Sequence, residues 1–120
     1  MTVELTPGLM IAAADMRLEH EPLPAEQVVA GSPTTAMLVL DEREGREIGV
    51  WEMTPGTASD LEADEIFVVL SGRARVEFTS VPDGDVPAPV DIAAGSVVRL
   101  TAGMDTRWTV HETLRKVYLA

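Results

Sequence analysis

The sequence predicts an all-β domain, built as a barrel or sandwich. Three observations carry this. From about residue 35 the 120-residue chain is punctuated at short, regular intervals by turn formers. The pieces between the turns are short and rich in Val, Leu, Ile and Thr, and several alternate apolar with polar residues. A chain of this length fits one domain that buries roughly two thirds of the surface its unfolded form exposes, so no covalent staple is required.

The first 35 residues give the weakest pattern. "MIAAADM" (10–16) reads as a strand or a short helical piece, and "PAEQVVAG" (24–31) as one helical turn or two with Gly31 as the stop. Pro22, Pro24 and Pro33 favour an arm wrapped on the body over a separate domain. Residues 1–35 are therefore assigned to an N-terminal arm and 36–120 to the barrel.

Strands are expected at "AMLVL" (36–40), "REIGVWEM" (46–53), "EIFVVL" (65–70) and "RARVEFT" (73–79). Four more follow at "PVDI" (89–92), "SVVRLT" (96–101), "TRWTV" (106–110) and "LRKVYL" (114–119). The connecting pieces "EREG", "PGTASD", "SG", "VPDGDVPA", "AAG", "AGMD" and "HET" read as loops. In the strand 65–70, an inward Glu65 carries Phe67 and Val69 inward and sends Ile66, Val68 and Leu70 to the other face. Both faces are then apolar, so the outer one calls for cover by the arm, a second sheet or a partner subunit.

Composition excludes several functions. Twenty acids against nine bases give a formal charge of −11, which repels nucleic-acid phosphates and anionic membrane surfaces. The absence of cysteine removes disulfides, thiolate nucleophiles, zinc ribbons and iron–sulfur clusters. The opening "MTVELTPGLMIAAADM" has an acid at Glu4, no basic lead-in and an apolar run too short for a signal core or a span, so a cytoplasmic protein is expected. Ser71 lies outside any G-x-S-x-G elbow, and no phosphate-cradling Gly-rich loop precedes a helix.

At "GVWEMTPG" (49–56), "EIFVVLSGRARV" (65–76), "DIAAGSVVRLTAGMDTRW" (91–108) and "VHETLRKVYLA" (110–120), the sequence resembles a small single-domain cupin. More narrowly, it is similar to the subfamily typified by ureidoglycine aminohydrolase and the ethanolamine-utilisation cupins. The resemblance implies an RmlC-like jelly roll (a double-stranded β-helix) with a pocket at one end, and dimers. It places Glu65 and Gly72 on the Glu and closing Gly of the first cupin motif, with Gly56 at its opening turn, and turns Glu65 into the barrel. The motif's two histidine positions fall on Ser59 and Leu61 or on Ala58 and Asp60. The third falls on Thr106, with Thr101 in place of the motif proline, while His20 and His111 lie outside the motif. One carboxylate with hydroxyls is a poor transition-metal site, so no metal and no cofactor are expected. The acid run Asp60, Glu62, Asp64 and Glu65 lacks calcium-loop spacing and reads as a solvated loop.

A Thr106 that points inward takes Trp108 and Val110 with it. In the last strand either Lys116 and Tyr118 or Val117 and Leu119 line the barrel. The family blocks single out Glu52, Trp108, Lys116 and Tyr118. The expected ligand contacts are Glu52, Phe67, Thr106 and Trp108, and the expected proton-transfer groups are Glu65, Lys116 and Tyr118. A buried Glu65 needs a partner, for which Lys116, Tyr118 and the Trp108 N–H are the candidates. Two functions follow as expectations. One is a homodimeric cupin that binds a small polar metabolite without the usual metal. The other is a metal-free or weakly metal-dependent isomerase, epimerase or ureidoglycine aminohydrolase-like hydrolase with Glu65 as base.

Overall fold

The structure, a computed structural model, describes residues 4–120. Nine strands form one curled antiparallel sheet: β1 (Glu21–Pro22), β2 (Val28–Ala30), β3 (Thr34–Arg43), β4 (Arg46–Met53), β5 (Gly56–Leu61), β6 (Glu65–Ser80), β7 (Val90–Ala93), β8 (Val97–Leu100) and β9 (Asp105–Leu119). No helix long and apolar enough to cross a membrane occurs among the described residues.

Two long strands organise the rest. β9 pairs along its whole length with β6; its first half also pairs with β5 and its second half with β4. The first half of β6 pairs with β8 and its second half with β7. The sheet thus curls so that β1-β3-β4-β9-β6-β8 and β2-β5-β9-β6-β7 close on a common core, the jelly roll expected from the sequence.

This corrects three loops and adds strands. "SG" at 71–72 and "HET" at 111–113 are not turns but the places where β6 and β9 bend together from one half of the sheet to the other. Register shifts cluster there, between Val69 and Ala74. Gly72 permits the bend. Its φ is +91°, and a Cβ would fall 2.0 Å from the Thr113 carbonyl oxygen. "PGTASD" is likewise no loop: residues 56–61 form β5, wedged between β9 and β2. In the arm, residues 28–30 form a strand because β5 offers its edge, and neither helical reading of 24–31 applies.

The core holds Met53, Phe67, Val69, Val76, Leu100, Trp108, Leu114 and Tyr118. The opposite face of β4 and β9 carries Val50, which is fully buried, beside Glu52 and Arg115. The arm reaches this face: Arg115 donates to the Ala13 carbonyl at 2.9 Å, and the Leu5 amide donates to the Leu40 carbonyl at 2.9 Å. On the β6–β8–β9 side Ile66, Val97 and Leu119 stay exposed, without cover from the described residues of the arm.

Candidate functional site

Strand alternation fills the barrel from facing strands. Trp51 on β4 and Val69 on β6 both flank Lys116 on β9, and Phe67 faces Tyr118. Partners in an antiparallel ladder project to the same side. Lys116 and Tyr118 therefore turn inward, each about 5% exposed, while Val117 and Leu119 turn out. Gly49 makes room for this, since its missing Cβ leaves space for the Tyr118 ring lying across it.

A cavity of about 390 Å³ opens at this end of the barrel. Trp51, Trp108, Met53 and Ala58 wall it, Leu23, Met37 and Leu61 stand at its apolar margin, and Glu47, Asp60, Glu62, Glu65, Lys116 and Tyr118 supply its ionisable groups. The ammonium of Lys116 donates to Glu65 Oε1 at 3.1 Å. It also stands 4.7, 4.3 and 4.8 Å from the ring centroids of Trp51, Phe67 and Trp108, so its charge is met by one carboxylate and three aromatic faces. Burial lowers the Lys116 pKa, with Glu65, Glu62 and Asp60 opposing.

A second carboxylate lies deeper than the sequence suggested. Glu62 is only 9% exposed. Its Oε2 accepts the Thr106 hydroxyl at 2.6 Å and the Trp108 indole N–H at 3.0 Å. This corrects the solvated-loop reading at that residue: Thr106 and Trp108 sit inside the barrel, and their buried donors require an acceptor that Glu62 provides. That need was the one signal in the sequence, and it becomes visible only with β5 and β9 paired. Asp60, opposite Thr106, reaches the open side of the cavity. Partial burial and repulsion from Glu62 and Glu65 push its pKa up to about 6, against the pull of the Leu61 backbone and Lys116.

The remaining expected site residues divide by position. Glu65, Lys116, Tyr118 and Trp108 line the cavity. Phe67, fully buried, backs it through its contact with the Lys116 ammonium. Thr106 acts through Glu62. The Tyr118 hydroxyl donates to Glu47 Oε2 at 2.6 Å, and burial with the Glu47 charge raises its pKa, which makes it a poor acid near neutrality. Glu52 is the correction: it points to the outer face, where it accepts from Arg115 Nε at 2.9 Å and from His20 Nε2 at 2.6 Å. Burial opposes but does not outweigh Arg115 and His20, which hold the Glu52 carboxyl below its ordinary pKa. Sequence reasoning missed Trp51, Glu47, Asp60 and Glu62 as cavity residues.

The pairing also decides between the two placements of the histidine positions. Ala58 and Asp60 stand opposite Trp108 and Thr106 and share their inward face. The inward set at the metal positions is thus Ala58, Asp60, Glu65 and Thr106, with the Glu65 carboxylate already holding an ammonium. No group of three or more His, Cys, Asp or Glu side chains is arranged to hold a metal ion among the described residues. This donor set does not fit a transition metal, which gains its affinity in such a barrel from imidazoles.

Comparison with known proteins gives one family and one fold. Residues 40–118 match the family described as "EutQ-like cupin domain". No curated protein sequence matches the chain. Among solved structures, the chain is similar to the EutQ protein of Clostridium difficile, with TM-score 0.65, 18% identity, and 92% of this chain and 83% of that one covered. It is similar to a protein of unknown function from Pseudomonas syringae pv. tomato, with TM-score 0.70, 21% identity, and 88% and 45% covered. It is also similar to a protein described as ethanolamine utilization protein Q from Salmonella typhimurium, with TM-score 0.59, 15% identity, and 88% and 97% covered. Identities this low speak to the fold alone.

Proposed function

We propose a function for this chain as a member of the EutQ-like cupin domain family, to which it belongs: it binds a small polar metabolite in the barrel cavity without a catalytic metal. The observation that carries this is the aromatic-walled cavity of about 390 Å³ with the Lys116–Glu65 pair buried in its wall. Its volume lies in the usual range for small-molecule sites, and apolar walls with a few convergent polar groups are what such sites share. An ammonium seated on Glu65 fills the role of counter-charge that a metal ion would otherwise take.

A second copy of the chain belongs to this reading, on the face where Ile66, Val68, Val97, Val117 and Leu119 come together through the β6–β8 and β6–β9 ladders. Such a strip on a sheet wants cover, and the described residues of the arm lie elsewhere. A cytoplasmic setting completes the reading.

Catalysis is the second reading, favoured by Asp60, whose pKa is pushed up to about 6 and which shares the cavity lining with Lys116. Glu65, bound to Lys116, is a weaker candidate base than Asp60. In this version the protein is an isomerase, an epimerase or a ureidoglycine aminohydrolase-like hydrolase. The test is to follow compounds that bind the cavity by NMR over time in the protein's presence. Recovery of every binder unchanged supports the binding module. Conversion abolished by Asp60→Asn or Lys116→Met would replace it with the enzyme.

A further inference from the structure

The cavity has more negative charge than its own groups neutralise. Among the described residues four acids line it, Glu47, Asp60, Glu62 and Glu65, against the single cation Lys116. Lys116 is committed to Glu65 at 3.1 Å, and Glu47 receives the Tyr118 hydroxyl. Asp60 and Glu62 have no cation within salt-bridge distance among the described residues.

Glu62 is the informative one. It is more than nine-tenths buried, both of its hydrogen bonds fall on Oε2, and Oε1 accepts none among the described residues although the side chain lines the cavity. Its two donors, a hydroxyl and an indole N–H, bring no full charge. Among the described residues no buried side-chain oxygen is left without a partner, so Oε1 is open to the cavity, where a positively charged donor entering it can reach the carboxylate.

The walls suit the same group. The Trp51 and Trp108 rings stand 5.6 Å apart at 55°, and both face the cavity. That these rings accept an ammonium is visible in the structure itself, since Lys116 Nζ lies 4.7 and 4.8 Å from their centroids. Cation–π attraction strengthens as the cation is desolvated. Leu23, Met37 and Leu61 at the margin offer apolar contact to the rest of a ligand.

We propose that the ligand is a small organic ammonium ion, its charged head set between Glu62, Asp60 and the Trp108 ring and its less polar body against Leu23, Met37 and Leu61. This rests on the reading of the cavity as a ligand site and adds to it the sign of the ligand's charge. Carboxylates and phosphates are disfavoured: they would meet three or more acids, and the one cation is already paired.

The test uses three probes with one chain and different heads: n-butylammonium, n-butanol and n-butyrate. Trp51 and Trp108 are the only two tryptophans, so their indole N–H resonances report the cavity directly. The full chain is titrated with each probe by NMR. Butylammonium should shift both indole signals saturably, with affinity at least about tenfold above that of butyrate or butanol, a difference of about 1.4 kcal/mol. Glu62→Gln keeps an acceptor for Thr106 and Trp108 but removes the charge, and should bring the ratio down toward one. Should that variant not fold, Asp60→Asn at the open side of the cavity should reduce the same ratio. Binding of butyrate or butanol as tight as butylammonium would overturn the charge assignment and leave the cavity a ligand site. A preference unchanged in both variants would also overturn it. The absence of a saturable shift from all three probes would remove the ligand-site reading as well.

Discussion

The ammonium of Lys116 stands 3.1 Å from Glu65 Oε1, with 6% of the one side chain and 14% of the other open to solvent. Removing one partner of such a pair strands a buried charge. Lys116→Met, which keeps an apolar stem among Trp51, Phe67 and Trp108, should cost on the order of 3–5 kcal/mol in denaturant unfolding. Glu65→Gln with Lys116→Met should cost less than the two singles added, by about 0.5–3 kcal/mol. Additive costs would show that the pair is not a unit.

Asp60 makes the opposite kind of statement about pH. Its folded pKa, about 6, lies above its unfolded value, so the folded state holds the proton longer. Stability should therefore fall as pH rises from about 4 to about 6 and stay at the lower level above that. Asp60→Asn should raise the melting temperature at pH 7.5, with the difference shrinking to nothing below about pH 4. An equal effect at both pH values would mean that charge repulsion in the cavity is not its cause.

Glu52, on the outer face, has the reverse sign. Arg115 and His20 depress its pKa, so the contribution it makes is present above the unfolded value and is lost as pH falls through the folded one. Since Arg115 also holds the Ala13 carbonyl and His20 lies in the arm, Glu52→Gln should loosen the arm before the barrel. Amide hydrogen exchange reads this: protection at the Leu5 amide, which donates to Leu40, should fall in the variant while that of Val69 holds. Equal loss at both would assign Glu52 to global stability alone.

Much of the barrel was legible in the sequence, and where it was not the reason is tertiary. Residues 46–53 form β4 with the expected bounds, because turns close both ends and the pattern between them is clear. Phe67 and Val69 face inward and Ile66 outward, as period two requires. β5 was hidden because Gly56, Ser59 and Asp60, just after Pro55, are turn formers by propensity, and they become a strand only between the edges of β2 and β9. The bends at Gly72 and His111–Thr113 looked like turns because local sequence marks a change of direction but not whether pairing continues through it. Glu62 was lost among its acidic neighbours, since the donors that bury it lie 44 and 46 residues away.

The exposed apolar strip predicts association. Val97 is 65% exposed, beside Ile66 and Leu119 at 42% and 46%. Light scattering at micromolar concentration should give the mass of a dimer, and Val97→Asp should return the monomer with little change in fold. A monomeric mass for the unaltered protein would remove the second copy from the account.

The most direct test of the central claim is a crystal structure of the protein as purified, with metal analysis of the same sample. The account predicts less than stoichiometric zinc, iron, manganese or nickel, Lys116 Nζ on the Glu65 carboxylate, and, after soaking with butylammonium, density for the ligand between Trp51, Trp108 and Glu62. One equivalent of metal bound through Glu65, with Lys116 displaced from it, would contradict the account.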